Sequence, residues 1–156
     1  MTTVRLWRIS AALYRRGWRR AARVVQRVNG FLHHNDLGAG AVIGPGVELG
    51  HRGLGVVVHD NVVLGGRVKL WHHVTLAVRA KPGSPHRIVV GDGATIGTGA
   101  VVITPRLGTV HIGPGARVGA GAVVTGDVPA GATVVGVPAR SRETAVARES
   151  SPSPAA

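Results

Sequence analysis

The chain has 156 residues, a length that fits one domain with short appendages. It holds 24 Gly, 9 Pro and 27 Val, but one Phe, one Tyr and three Trp, which excludes an ordinary core leaning on Phe and Leu. Collagen, with Gly at every third position, and a span of about 18 apolar residues are excluded as well. The net charge of +12 is uneven: residues 1–35 carry eight arginines and no acid, and the rest carry 11 basic and 7 acidic groups.

The absence of cysteine removes disulfides, thiolate nucleophiles and Cys-ligated zinc. It suits a reducing cytoplasm, and no apolar core of a signal peptide follows the basic N-terminus.

Residues 1–35 form a basic helical segment. Trp7, Tyr14, Trp18, Ala21, Val25, Val28 and Leu32 recur at helical spacing and predict one amphipathic helix over 4–29, stopped by Asn29-Gly30. Arg8, Arg15, Arg16, Arg19, Arg23 and Arg27 fall mostly off that stripe. Two readings stand side by side. The helix lies on an anionic membrane surface, with Trp and Tyr as anchors, or its stripe packs on the rest of the domain or a neighbouring subunit. No helix-turn-helix or RNA-binding motif accompanies the charge, so no nucleic-acid partner is expected.

From Leu37 the chain falls into six-residue units. An aliphatic residue opens each: Leu37, Ile43, Leu49, Val58, Leu64, Leu70, Leu76, Val90, Ile96, Val102, Ile112, Val118 and Val124. Four residues later comes a small or β-branched residue, from Ala41 and Val47 through Ala100 and Ala122 to Val128, and Gly often follows the opener. Such units build an all-β solenoid. The opener fills the interior, the small residue closes a corner, and three units make one triangular coil stacked at about 4.8 Å on the last. About four coils are expected.

Extra residues enter at 51–57, 77–89 and 104–107. A solenoid places function on such excursions, because its regular faces are occupied by stacking. Asp36 and His51 lie a little less than one coil apart, so the carboxylate can return beside the imidazole. An Asp holding one ring nitrogen leaves the other to take a proton from a hydroxyl. The plainer reading makes Asp36 a turn residue and His51 a surface residue of a Gly-rich loop.

The stretch 36–140 resembles the hexapeptide-repeat acyltransferases, most of all their serine acetyltransferase branch. The residues that carry the likeness are Asp36 through His51, Gly53-Leu-Gly-Val-Val-Val58, Val74-Thr75-Leu76, Ile96 to Ala100, Gly121 to Pro129 and Gly136-Val-Pro-Ala-Arg140. The resemblance implies a left-handed parallel β-helix and a homotrimer with active sites between subunits. It implies acetyl-CoA as cosubstrate, a small-molecule hydroxyl acceptor and no metal. It makes His51 the general base, Asp36 its orienting group and His86, on the long loop, a second site histidine. Acetyl-CoA would run beside Gly97, Gly99, Ala100, Gly119, Ala120 and Ala122, with Arg140 or Arg142 at its phosphates.

The chain also departs from the family. Gly50 stands where an acid usually precedes the base, and Pro85 where a loop Arg would hold a serine carboxylate. The helical N-terminal domain is reduced to about 30 residues, and residues 141–156 form a tail without the terminal isoleucine that docks into cysteine synthase, so no such complex is expected. Serine is the expected acceptor. A sugar or other small alcohol, in polysaccharide or specialised-metabolite synthesis, is the alternative that Gly50, Pro85 and the short N-terminus support.

The same solenoid can carry two other functions. A zinc lyase of the γ-carbonic anhydrase type needs a His-x4-His pair, and none of His33, His34, His51, His59, His72, His73, His86 and His111 supplies one. His72-His73 therefore reads as a doublet with one imidazole stacked on the surface. A non-catalytic scaffold whose helix binds membrane would leave the spacing of Asp36 and His51 unexplained. The chain is expected to be cytoplasmic, peripheral to the membrane if the helix binds lipid.

Overall fold

A computed structural model describes residues 2–141; the remainder of the predicted tail, Arg142 included, lies outside the described residues. The single predicted helix is two: α1 (Thr3–Arg15) and α2 (Arg19–His33). Gly17 causes the break. With φ +84° it ends α1, donating its N–H to Tyr14 O (3.0 Å) while Trp18 donates to Leu13 O (3.0 Å), the paired bonds of a glycine-terminated helix. The turn resets the phase of the stripe. α1 buries Thr3, Trp7, Ser10 and Ala11 and α2 buries Ala22 and Asn29, whereas Trp18, Val28 and Leu32 face outward.

The expected stop at Asn29-Gly30 is overrun for a related reason. The Asn29 side chain is buried against α1, accepting from Thr3 Oγ1 (3.0 Å) and donating to Thr3 O (3.1 Å). The helix ends one turn later at His34, which takes the left-handed conformation.

Beyond the helices the chain winds through a three-faced parallel β-helix. With strands numbered along the chain, the first sheet stacks β1 (Asp36–Leu37), β4 (Val57–Val58), β7 (Thr75–Ala77), β10 (Val101–Ile103) and β13 (Val123–Val124). The second stacks β2 (Val42–Ile43), β5 (Val62–Leu64), β8 (Ile88–Val90) and β11 (Val110–Ile112). The third stacks β3 (Glu48–Leu49), β6 (Lys69–Leu70), β9 (Thr95–Ile96), β12 (Arg117–Val118) and β14 (Thr133–Val135), with β15 (Arg140–Ser141) antiparallel at its edge. Four coils are complete and a fifth is begun.

The six-residue pattern explains the core. Every opener is buried except Ile43 and Leu49, which are partly buried in the first coil, and every small residue at the fourth position is buried. Each fully enclosed aliphatic side chain contributes roughly 1.5–3 kcal/mol, and the narrow interior leaves no room for aromatics.

The helices close the first coils. Trp7, fully buried, donates from Nε1 to Gly38 O at 2.9 Å. Arg23 on α2 pairs with Asp60 at 2.6 Å; the Asp60 side chain is 7% exposed and also accepts from Gly40 N–H at 3.0 Å. The hydrogen bond to Asp60 raises the pKa of the Arg23 guanidinium, so this charge pair ties α2 to the second coil. No helix among the described residues is long and apolar enough to cross a membrane.

Candidate active site

The triangular section gives the solenoid three corners. His51 lies on the corner between the third sheet and the first, on a short 3-10 turn at Gly50–Gly53 inserted before β4. His51 (φ 49°) and Arg52 (φ 59°) both take left-handed backbone conformations. Such conformations are uncommon outside glycine and often mark sites of function. Asp36 opens β1 at the same corner. Its Oδ1 accepts from Gln26 Nε2 of α2 at 2.7 Å, and no hydrogen bond or ion pair joins it to His51 among the described residues. Asp36 is thus held from α2 at the corner that carries His51.

What surrounds the His51 ring is aromatic. Register pairs Glu48 with Lys69 and Leu49 with Leu70, so the next residues along each coil, His51 and His72, meet in a column. Their ring centroids are 4.6 Å apart and edge to face; Trp71, on the same coil as His72, lies 6.2 Å from His51. The Trp71-His72-His73 run also accounts for one glycine of the inserted turn and one just after it. A Cβ on Gly50 would come within 2.9 Å of the Trp71 ring, and one on Gly55 within 2.0 Å of His73 Nδ1. The acid that the family resemblance places just before the base has no room beside Trp71.

The column continues upward. His72 Nδ1 lies 3.5 Å from Thr98 Oγ1, Gly99 donates to His72 O at 3.1 Å, and Gly121 donates to Thr98 O at 2.8 Å. Gly97, Gly99, Gly119 and Ala120 thus share the corner of His51, on the third and fourth coils, with their backbones at least partly exposed. A Cβ on Gly99 or Gly121 would meet nothing within 4 Å, whereas one on Gly97 would come within 2.6 Å of Ala120 N and one on Gly119 within 2.7 Å of Val135 Cγ1. The corner is thus a track open to a thin ligand at Gly99 and Gly121 and closed by stacking between them.

Ala100 and Ala122 do not belong to that track: both are fully buried, with side chains in the solenoid core and their backbone groups used in stacking. Their place in the repeat, as the small residue that closes the corner, explains this. Arg140 is exposed on β15 at the far end of the column and donates to Ala139 O at 3.1 Å.

His86 stands apart. Its loop joins β7 to β8, and so occupies the corner between the first and second sheets, whereas His51 occupies the corner between the third and first. Asn61 clasps this loop, donating to Lys81 O (2.9 Å), Ser84 Oγ (3.0 Å) and His86 O (3.1 Å) and accepting from Gly83 N–H (2.8 Å). No group of metal-ligating side chains is assembled among the described residues. Gln26, Asn61, Trp71 and His72 are site or loop residues that sequence reasoning did not assign. The aligned places of His51 and His72 in adjacent coils were the legible signal for the last.

No family model matches the chain. The serine acetyltransferase of Helicobacter pylori (strain J99) is 33% identical over 135 residues, which cover 86% of this chain and 76% of that protein. The fold superposes on soybean serine acetyltransferase complexed with serine with a TM-score of 0.81 at 38% identity, covering 90% of this chain and 56% of that one. A serine acetyltransferase in complex with CoA matches with a TM-score of 0.80 at 29% identity, covering 90% and 55%. The first curated relatives are longer proteins, of which the chain spans 29–60%.

Proposed function

The chain belongs to the serine acetyltransferase family and shares its left-handed β-helix, and from that premise we propose that it is an acetyl-CoA-dependent O-acetyltransferase acting on the hydroxyl of serine. The observation that carries this reading is the single column in which His51 stands below the open glycine track of the later coils. In one ternary complex, His51 takes the proton of the acceptor hydroxyl as the oxygen attacks the thioester carbonyl. The new C–O ester bond forms, the C–S bond breaks, and the proton passes from His51 to the departing sulfur. Asp36 is the orienting carboxylate, with Oδ1 fixed by Gln26 and Oδ2 turned over to the imidazole in the working complex. Gly97, Gly99, Gly119 and Ala120 line the acetyl-CoA track, and Arg140 meets its phosphates.

His86 completes the site from another copy of the chain. A prism with His51 on one corner and His86 on another cannot bring them together within one subunit. A cyclic trimer sets one subunit's His51 corner beside its neighbour's His86 loop. A cytoplasmic location fits both the acetyl-CoA requirement and a chain without cysteine.

The expected result with the purified protein is release of CoA from acetyl-CoA that depends on serine and is at least about tenfold slower with a panel of sugars. Sugar-dependent release without serine-dependent release would transfer the acceptor assignment. No release with any acceptor, together with no binding of acetyl-CoA, would remove the enzyme reading.

The same chain presents a surface for anionic lipid. Val24, Val28 and Phe31 form a line on α2 that faces away from the solenoid, widened by Leu32 and Trp18; Phe31 is 83% and Trp18 67% exposed. Arg20 and Arg27 border this line, and Arg15, Arg16 and Arg19 cluster at the turn between the helices. Apolar residues flanked by arginine suit a headgroup interface, whereas two copies meeting there would bring these five arginines of each against those of the other. The protein is expected to cosediment with vesicles containing phosphatidylglycerol and not with pure phosphatidylcholine, and to lose binding in Phe31→Glu. Self-association through this face, abolished by the same change without any vesicle binding, would overturn the lipid assignment.

A further inference from the structure

The column at the third corner imposes an order on anything bound along it. His51 belongs to the first coil, Thr98 and Gly99 to the third, and His72 lies between them at about one strand spacing from each. An extended cosubstrate that runs along the glycine track and presents its reacting carbon to His51 must pass His72. This inference rests on the reading of His51 as the base and of the track as the acetyl-CoA site.

We infer that His72 is a catalytic residue, the side-chain donor that meets the thioester carbonyl oxygen while His51 takes the proton of the acceptor hydroxyl. Thr98 Oγ1 lies 3.5 Å from His72 Nδ1; with that nitrogen accepting from the hydroxyl, Nε2 carries the proton and is the donor. Desolvation first, then the neighbouring His51 and His73, lower the pKa of His72, which favours the neutral ring. The proton taken by His51 adds a further positive neighbour and keeps His72 from competing for it. A neutral imidazole can polarise a carbonyl without surrendering its proton, and two imidazoles side by side then divide the roles of base and electrophile.

The groups around His72 come from its own coil and from the two beside it. Trp71 and His73 flank it along the chain, His51 faces it from the coil below and Thr98 from the coil above. Backbone N–H groups nearby are committed to stacking: Trp71 to Ile96 O, His73 to Leu54 O, Gly97 to Val118 O and Gly99 to His72 O.

The test compares His72→Phe, which keeps a ring against His51, with His72→Gln, which restores an N–H donor. Loss of one oxyanion donor lowers kcat about 10²-fold. His72→Phe should show that loss, with the KM values of acetyl-CoA and serine within about threefold and CoA affinity unchanged, since CoA lacks the carbonyl. His72→Gln should recover at least about tenfold of the kcat lost. Thermal melting and circular dichroism of both variants should match the unmodified chain.

A His72→Phe protein with kcat within about twofold of the unmodified chain would overturn the inference, as would equal weakening of acetyl-CoA and CoA binding, the mark of a wall that only packs. Parallel measurement of His51→Asn separates the two ideas. If that variant is inactive and His72→Phe is fully active, only the His72 role falls. If His51→Asn keeps full turnover, the base assignment falls, and with it the division of roles. An unmodified chain without turnover removes both.

Discussion

Replacing His51 should lower kcat for acetyl transfer about 10²- to 10⁴-fold, the range for removing a positioned general base, while acetyl-CoA still binds. The substitution needs care because His51 sits at φ 49°. Ala there would add backbone strain to the loss of the imidazole, whereas Asn adopts left-handed backbone more readily and has no basic nitrogen. His51→Asn is therefore the informative variant, and the loss should appear in kcat with both KM values little changed. The proton of the hydroxyl would have to leave to water, and serine itself would gain no other contact that promotes attack. Full kcat in a folded His51→Asn protein would show that another group takes the proton.

The repeat was legible because each of its positions has a steric task that only a few residue types satisfy. Leu76 and Val102 had to be interior, and Ala100 and Ala122 had to close corners, whatever the chain does for function. The same logic misled the cofactor assignment. Ala100 and Ala122 were placed on the ligand track for their small size, when that size serves the core. The helical segment departs from one stripe at a single residue: the left-handed conformation of Gly17 ends α1 and rotates everything after it. From there Val28 and Leu32 turned outward and Asn29 inward.

The site itself was half visible. His51 announced itself by spacing and by its glycine-rich neighbours, but its partners depend on contacts between coils and from α2. Gln26 reaches Asp36 across ten residues of sequence and a change of secondary structure, which no local pattern encodes. The sequence reads His72-His73 as strand neighbours with one imidazole stacked on the surface, yet they stand at a corner, with His73 at φ 57°, and there the alternation of a strand does not hold. Gly50, a puzzling departure in the sequence, is explained once Trp71 is seen lying against it.

Mixing two inactive variants should restore activity if the site is shared between subunits. His51→Asn and His86→Ala proteins, each expected to be nearly inactive, are co-expressed with different affinity tags, and assemblies of the proposed trimer carrying both tags are isolated. In a cyclic arrangement each site takes His51 from one chain and His86 from the next. A site is whole where a chain with His51 intact has, as the neighbour supplying its loop, a chain with His86 intact. Any trimer containing both variants has one such junction out of three, whichever variant is present twice, so its kcat per trimer should be about one third of the unmodified value. The topology makes this outcome demanding, because His51 and His86 lie on different corners of one rigid prism and its loop is held by Asn61. Flexibility within a chain therefore cannot imitate it. Mixed trimers no more active than either parent would mean that both histidines serve a site within one subunit or that His86 has no part in it. A fully active His86→Ala homotrimer would decide for the second.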